Sequence, residues 1–301
     1  MLEFTKVKLE DRERVLPFIR KHGYCSAEYC FGNLYIWQSA YHTEYAVSNR
    51  TLIIRGQYGE KLFYQVPLGG EGFRAAVEEL MRENPEGLLF YGVTERGREK
   101  LMEAFPGEFT FSLHEDKSDY VYRKSDLRDL PGKKYHAKRN YVNRFVREHG
   151  EIQSEPITEA NLPEVLEFQQ EWLRENLEHG GDDLYDENRA VLACLHHFFE
   201  LEMFGRLLRV EGKIAAYAVG ERLGCQTVVE HFEKATRKID GCYTVMLTQF
   251  AKSLGDDIEF INREEDMGLP GLRKAKRSLY PCRMEYKYVG EWKPENETAA
   301  H

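Results

Sequence analysis

The sequence predicts an α+β protein of two tandem domains, each a mixed, mainly antiparallel sheet flanked by helices. Three observations carry this expectation. The chain has 301 residues, enough for two cores, since one domain commonly takes ~100–200 residues. It has 42% hydrophobic residues, with 18 Tyr and 17 Phe, a composition that excludes a disordered chain. On both sides of a basic stretch, hydrophobic periodicity runs strand, helix, several strands, helix, strand, helix, strand. Little residue-level repetition accompanies this order, so the repeat is one of pattern.

In the first block, residues 4–8 alternate as a strand. Residues 10–22 read as a helix with Val15, Phe18 and Ile19 on one face, closed by Gly23. Strand-like runs follow at 34–37, 44–47, 52–55 and 62–66, separated by turns at Asn49-Arg50 and 56–59. Residues 72–83 form an amphipathic helix, 88–93 an apolar strand, 96–104 a helix, and 108–113 with 120–122 a closing hairpin. In the second block, strands are expected at 152–157, 206–210, 214–222, 227–234, 258–261 and 283–289. Helices are expected at 162–175, 187–202, 242–253 and 272–279, the last stopped by Pro281. The predicted organisation is a domain at 1–130, a basic linker helix at 131–150, a domain at 151–292 and a polar, frayed tail at 293–301. The acidic loop 179–183 reads as a turn, with a mobile lid as the alternative.

Net charge is −9, yet residues 132–150 hold six Lys/Arg against one Glu. That excludes general coating of nucleic acid and leaves room for one phosphate-bearing ligand at the strip. The six cysteines lack metal-ligand spacing and read as reduced, mostly buried thiols, and no metal is expected. Charge from residue 3 onward argues against a secretion signal. No run approaches the ~18 apolar residues of a membrane span, so no transmembrane segment and a cytoplasmic location are expected. Nothing in the pattern fixes an oligomeric state.

The element order is the layout of the GNAT (acyl-CoA N-acyltransferase-like) fold, here in tandem. Five stretches carry a closer resemblance. They are Gly32-Asn33-Leu34-Tyr35-Ile36-Trp37, Leu130-Pro131-Gly132-Lys133-Lys134-Tyr135-His136-Ala137-Lys138-Arg139-Asn140, Phe232-Glu233-Lys234-Ala235, Asn262-Arg263-Glu264-Glu265-Asp266-Met267-Gly268 and Gly271-Leu272-Arg273-Lys274-Ala275-Lys276. They resemble the bacterial DUF2156 proteins, which are similar to the C-terminal domain of phosphatidylglycerol lysyltransferases and, more distantly, to Fem-type peptidyltransferases. The resemblance spans nearly the whole chain. It implies an acyl-group transferase that moves an aminoacyl group from tRNA, or an acyl group from a thioester such as acyl-CoA, to an amine or hydroxyl. The lysyltransferases carry a long membrane-spanning region before this domain. No such run occurs in this sequence, which counts against a lipid acceptor.

The most unusual stretch is 258–281, where four acids and five Lys/Arg surround a short strand, an elbow and a helix. In the elbow, Glu264 and Asp266 are candidates to bind a substrate ammonium or act as base. Asn262 and Arg263, with Arg273 and Lys276 on the helix, are candidates to contact phosphate or carboxylate. Leu272, Ala275 and Leu279 make that helix's expected buried side, and mutual salt bridging is the plain alternative. On the strand 227–234, His231 and Glu233 alternate onto one face and Glu230 and Phe232 onto the other. A His beside a carboxylate suits proton removal from an attacking amine, with a cross-strand polar pair as the alternative. In the basic stretch, a helix would bury Tyr141, Val142, Phe145 and Val146. It would group His136, Asn140, Asn143 and Arg147 near Lys134, Lys138 and Arg139, a stripe suited to a nucleotide or phosphate; a solvated helix is the alternative.

The resemblance also implies that the turn 234–243 holds a pyrophosphate at a helix N-terminus, with Arg237, Gly241 and Tyr243 as candidates. Only one glycine of the usual pair is present and Asp240 would repel a diphosphate, so an adenylate or tRNA end ranks above coenzyme A. A helix capped by Asp240 explains the turn equally. Asn140, Glu233, Glu264 and Arg273 are expected to face one cleft. The competing functions are a non-enzymatic tRNA- or nucleotide-binding module and an acyl-CoA N-acetyltransferase.

Overall fold

The computed structural model describes residues 2–22, 24–177, 182–224 and 226–294. The expected helix stop at Gly23, most of the acidic loop with its lid alternative, Cys225 and the tail beyond residue 294 lie outside the described residues.

The elements run β1 (Thr5–Lys6), α1 (Arg12–His22), α2 (Phe31–Ile36), α3 (Gln38–Tyr41), β2 (Glu44–Ser48), β3 (Thr51–Tyr58), β4 (Lys61–Tyr64), α4 (Phe73–Glu83), β5 (Leu88–Thr94), α5 (Glu95–Ala104), β6 (Phe109–Leu113) and β7 (Asp119–Arg123). They continue α6 (Lys124–Asp129), α7 (His136–His149), β8 (Gln153–Pro156), α8 (Leu162–Asn176), α9 (Asp182–His196), β9 (Phe204–Val210), β10 (Lys213–Gly224), β11 (Thr227–Ala235), α10 (Cys242–Ser253), β12 (Phe260–Asn262), α11 (Pro270–Arg277), β13 (Arg283–Glu285) and β14 (Lys287–Trp292). The chain is thus α+β, with two mixed sheets flanked by helices. No helix among the described residues is long and apolar enough to cross a membrane.

Two compact units form. One takes the chain up to Asp119, with Glu265–Gly268 and the segment from Glu285; the other takes Tyr120–Glu264 and Leu269–Met284. The first unit's sheet has the order β1-β2-β3-β4-β5-β14-β6 and the second's β13-β7-β12-β11-β10-β9-β8. Both follow one plan. The first four strands pair antiparallel, the fourth and fifth pair parallel (β4 with β5, β11 with β12), and the strand beside the fifth comes from the other half of the sequence.

That exchange corrects two expectations. Residues 120–122 do not form a hairpin with 108–113: β7 pairs instead with β12, Tyr122 opposite Ile261. Tyr120, Val121 and Tyr122 are all buried, as a strand covered on both faces must be, whereas a two-stranded edge hairpin would expose one side. Likewise 283–289 is not one strand. It divides into β13 in the second sheet and β14, which pairs with both β5 and β6 in the first. A third correction concerns 34–37, expected as a strand and found within and just after α2. The aromatic and β-branched content reads as strand, but Phe31 and Leu34 are buried at helical spacing.

In the first unit, α4 buries Phe73, Ala76, Val77 and Leu80 against Ile53, Tyr64 and Phe90, the i, i+3, i+4, i+7 stripe of a core-facing helix. Thr94 caps α5 by accepting a hydrogen bond from Gly97 N at 3.1 Å. At the head of β14, the buried ammonium of Lys287 lies 2.5 Å from Glu28, 2.6 Å from Asp119 and 3.4 Å from Glu265. Burial opposes its charge, but the carboxylates of Asp119, Glu28 and Glu265 overcome this and hold it well above the ordinary lysine range. Burial in turn pushes Glu28 up to about 7 despite Lys287.

Removing one partner of such a buried set leaves charge uncompensated and costs about 3–5 kcal/mol. Lys287→Met is therefore expected to lower the unfolding free energy by about that amount in urea titration. A loss below about 1 kcal/mol, the range of a surface pair, would show that Lys287 does not hold the inserted strand.

Candidate functional site

The chemistry of the second unit gathers where β10, β11 and β12 run side by side. β10 carries the unbroken buried run Ala215 to Val219, ending in Gly220 and then Glu221. Val219 lies opposite Phe232, but Gly220 lies opposite Glu230, so His231 is an extra residue in the ladder. This bulge resets the alternation of β11. Glu230 and Glu233, expected on opposite faces, converge on one guanidinium: Arg263 Nε donates to Glu230 and Nη2 to Glu233. His231, expected to share a face with Glu233, donates instead toward two other carboxylates. Its Nδ1 is 2.7 Å from Glu264 Oε1 and its Nε2 3.1 Å from Glu221 Oε1. A Cβ on Gly220 would lie 2.1 Å from Val229 O, so the bulge requires glycine there.

The elbow after β12 is held from three sides. Asn262, fully buried, accepts from Glu264 N at 2.8 Å, an Asx turn. Glu264 adopts φ 56°, a left-handed conformation costly for a non-glycine residue. Lys276 on α11 donates to the carbonyls of Arg263 and Glu264, while Tyr122 Oη donates to Lys276 O at 2.8 Å. Lys276 is thus buried in elbow contacts.

Burial decides the charge states. The side chains of Glu230 and Glu233 are 1% and 9% exposed, and that of His231 0%. Burial pushes Glu233 up to about 8; Arg263 works against this and Glu230 reinforces it. One oxygen of Glu233 and one of Glu230 are buried with no hydrogen-bond partner among the described residues. Burial lowers the affinity of His231 for a proton, but the hydrogen bonds to Glu221 and Glu264 outweigh it and raise the imidazole to about 9. An imidazolium engaged at both nitrogens has no lone pair to offer as a base. Burial lowers the pKa of Lys138, with Arg263 adding to the shift and Glu233 opposing it, which places this residue of α7 near the same acids.

On α7, His136, Asn140 and Asn143 are exposed, and Asn140 Nδ2 is 3.3 Å from His136 Nε2. Arg139 donates to Leu130 O and Gly132 O, stapling the turn before the helix. Lys134 pairs with Asp126 at 3.3 Å. The helix buries Phe145 but leaves Tyr141 42% and Val146 41% exposed, against expectation. Arg273 is half-buried on α11. Asp266 belongs to the first unit, where it is buried and accepts from Gly268 N at 2.9 Å. Of the four residues expected in one cleft, Glu233 and Glu264 lie in clusters joined through the Arg263-Glu264 backbone, Asn140 is exposed on α7 and Arg273 half-buried on α11. Glu221 was missed; a single acid at the end of an apolar strand was its only signal.

A pocket of about 220 Å³ opens at the N-terminus of α10, lined among others by Tyr141, Arg237, Gly241 and Tyr243. Gly241 is the N-cap, with φ 88° and no side-chain cap; a Cβ there would lie 3.0 Å from Tyr141 O. Asp240 is not the expected cap. Its carboxylate pairs with Arg144 at 2.8 Å, which offsets the charge expected to repel a phosphate.

Comparison with known proteins adds kinship to this geometry. A conserved protein of unknown function from Bacteroides thetaiotaomicron has a solved structure matching 97% of this chain and 100% of its own, at 34% identity and TM-score 0.92. L-PGS from Bacillus licheniformis matches at TM-score 0.65 and 17% identity, over 96% of this chain and 93% of that one. The C-terminal domain (DUF2156) of a protein described as a lysylphosphatidylglycerol synthetase from Agrobacterium fabrum gives TM-score 0.64 at 14% identity, over 94% and 91%. At the last two identities the likeness is one of fold. Among curated proteins, an uncharacterized protein of Mycoplasmoides gallisepticum is 21% identical over 175 residues, 56% of this chain and 54% of its own. The chain thus spans about half the length of that relative. The family model of the phosphatidylglycerol lysyltransferase C-terminal region matches residues 23–290, and the chain belongs to that family.

Proposed function

We propose that the protein is an acyl-group transferase, most naturally of the aminoacyl type, in which Glu233 moves the proton of the attacking group. The single observation that carries the reading is the state of Glu233: a buried carboxyl raised to about 8, anchored through one oxygen by Arg263 and with the other unpartnered among the described residues. A group with a pKa near the working pH both takes and returns a proton efficiently. The attacking amine or hydroxyl forms a bond to the acyl carbon as its proton passes to Glu233. The bond from that carbon to the leaving oxygen of tRNA, or sulfur of a thioester, then breaks, and Glu233 returns the proton to the leaving atom. No covalent enzyme intermediate is required, and rate comes mainly from positioning. Arg263 holds Glu233; His231 and Lys276 hold the elbow carrying Glu264. The α10 pocket with Arg237, Gly241 and Tyr243, and the exposed α7 stripe, would take the donor's phosphates. The family relatives described as lysylphosphatidylglycerol synthetases support aminoacyl over acetyl transfer. Charged tRNA is made in the cytoplasm, which is where this reading puts the protein.

Incubation with aminoacyl-tRNAs, lysyl-tRNA first, and separately with acetyl-CoA, should consume one donor when amines and polyols are supplied as acceptors. Loss of acetyl-CoA alone would favour the N-acetyltransferase reading. Binding of a donor without loss of any would favour the non-enzymatic module and contradict transfer. Glu233→Gln should lower turnover by roughly 10²–10⁴-fold and leave donor affinity within a few-fold. Arg237→Ala should weaken donor binding and flatten its salt dependence by somewhat less than one unit of slope.

The pH dependence has a defined sign. The ionised form of Glu233 accumulates above about 8, so turnover should rise through that pH. His231 has a folded pKa of about 9, above its ordinary 6.5. Its stabilisation of the elbow is therefore complete below about 6.5 and lost as pH climbs through about 9. A narrow bell is expected, and His231→Gln should remove its dependence on the upper pKa.

A further inference from the structure

We infer that the open edge of β6 docks a second copy of this chain, the two strands pairing antiparallel about a twofold axis at Phe111. Among the described residues the sheets end in four edge strands, β1 and β6 in one and β13 and β8 in the other. An edge strand offers its unpaired N–H and C=O groups to any extended chain, and proteins blunt it with shortness, charge or proline. Three of the four are blunted in this way. β1 is the dipeptide Thr5-Lys6, β13 has a charge at each end in Arg283 and Glu285, and β8 carries Glu155 and Pro156. β6 is not. Its sequence, Phe109-Thr110-Phe111-Ser112-Leu113, has no charge and no proline, and it keeps a regular register with β14 over its whole length.

The backbone decides which groups face outward. His114 N donates to Lys287 O at 2.8 Å, one step beyond the pair of Leu113 with Tyr288. Antiparallel pairs alternate between bonded and unbonded. Thr110 and Ser112 therefore turn their N–H and C=O groups to β14, and Phe109, Phe111 and Leu113 turn theirs to the open edge. Among the described residues nothing bonds to these outward groups. Thr110, Ser112 and Leu113 are exposed, Leu113 to 49%, so the edge is open to a partner.

The strand matches itself. Pairing centred on Phe111 sets Phe109 opposite Leu113 of the second copy, Thr110 opposite its Ser112 and Phe111 opposite its Phe111. Just past the strand ends, Glu108 comes opposite His114, a carboxylate against a ring that carries an N–H donor. Apolar meets apolar and hydroxyl meets hydroxyl, the cross-strand pairs that stabilise a sheet. This register also joins every outward N–H and C=O. A shift of one residue sets outward groups against residues turned inward, and a shift of two leaves Phe109 or Leu113 without a partner in the strand. Such self-complementarity is what a twofold interface requires. A foreign peptide would instead be chosen by pockets for its alternate side chains. The contact is short, below the ~1,200 Å² of standard interfaces, so the dimer should dissociate on dilution. It is independent of the transferase reading.

Sedimentation equilibrium of the full chain from roughly 1 μM to 1 mM tests this and should show a reversible monomer–dimer equilibrium with no larger species. Thr110→Lys with Ser112→Lys places lysines directly opposite lysines across the axis, at exposed positions, and should weaken dimerisation by at least roughly tenfold. Leu113→Pro removes an outward N–H without touching the β14 ladder and should weaken it by about as much. Should the proline variant melt early, the lysine pair carries the test alone. Thr110→Cys with Ser112→Cys should form an intermolecular disulfide on mild oxidation, above the level of the unaltered chain. Either cysteine alone lies about 7–8 Å from its own copy in this register and should not. A monomer at every concentration, species larger than a dimer, a dimer untouched by the lysine pair, or cross-linking by single cysteines as strong as by the pair overturns the inference.

Discussion

The arrangement of the second unit depends on one buried guanidinium. Arg263 leaves β12 at the elbow and reaches two carboxylates of β11, Glu230 and Glu233. Two acids this deeply buried repel each other and lose hydration, and a cation with fixed, forked donors holds both. Arginine supplies that fork, which the single ammonium of a lysine lacks. Once Arg263 is so placed, its backbone fixes the turn. Lys276 and Asn262 take up the polar atoms of the elbow, and Glu264 comes to lie against His231. The left-handed conformation of Glu264 persists because these contacts over-determine it.

The two acidic clusters sort their protons differently, and that difference gives them separate roles. His231 sits between two carboxylates and stays an imidazolium, so it acts as a clamp. Glu233 shares its cation with Glu230 and keeps one oxygen unpaired among the described residues, so it holds a proton loosely near neutral pH. A sequence with His and Glu two apart on a strand invites the opposite assignment, with His as the base. The bulge at His231 overturns it, because one extra residue moves every later side chain to the other face.

Much of the fold was legible in the residues. Helices with wide apolar stripes, such as α4, α8 and α10, and strands bounded by turn residues stood out, as did the repeat of layout. The exchange of β7 and β14 was not legible, because strand pairing between distant segments leaves no local mark. Each strand looks equally suited to its sequence neighbour, and only burial on both faces, Tyr120 and Tyr122 on one and Val121 on the other, betrays the true position. The site was half legible: the elbow motif and Glu233 were visible as residues out of keeping with their surroundings. Glu221 and the partnership of Glu230 with Glu233 were hidden behind the bulge. The stripe of α7, expected as a phosphate or nucleotide site with a solvated face as the alternative, is exposed, and the residue of that helix near Glu233 is Lys138.

The central claim is that the fold itself, before any substrate arrives, poises the carboxyl of Glu233 to exchange a proton near neutral pH. Titration of the glutamate side-chain carboxyl carbons by ¹³C NMR, with the Glu233 signal assigned by its loss in Glu233→Gln, measures this directly. The account predicts a midpoint of about 8 for Glu233, far above the ordinary range of a glutamate near 4.3. A midpoint in that ordinary range would mean that Arg263 and solvent keep Glu233 ionised, and the proposed proton transfer would lose its basis.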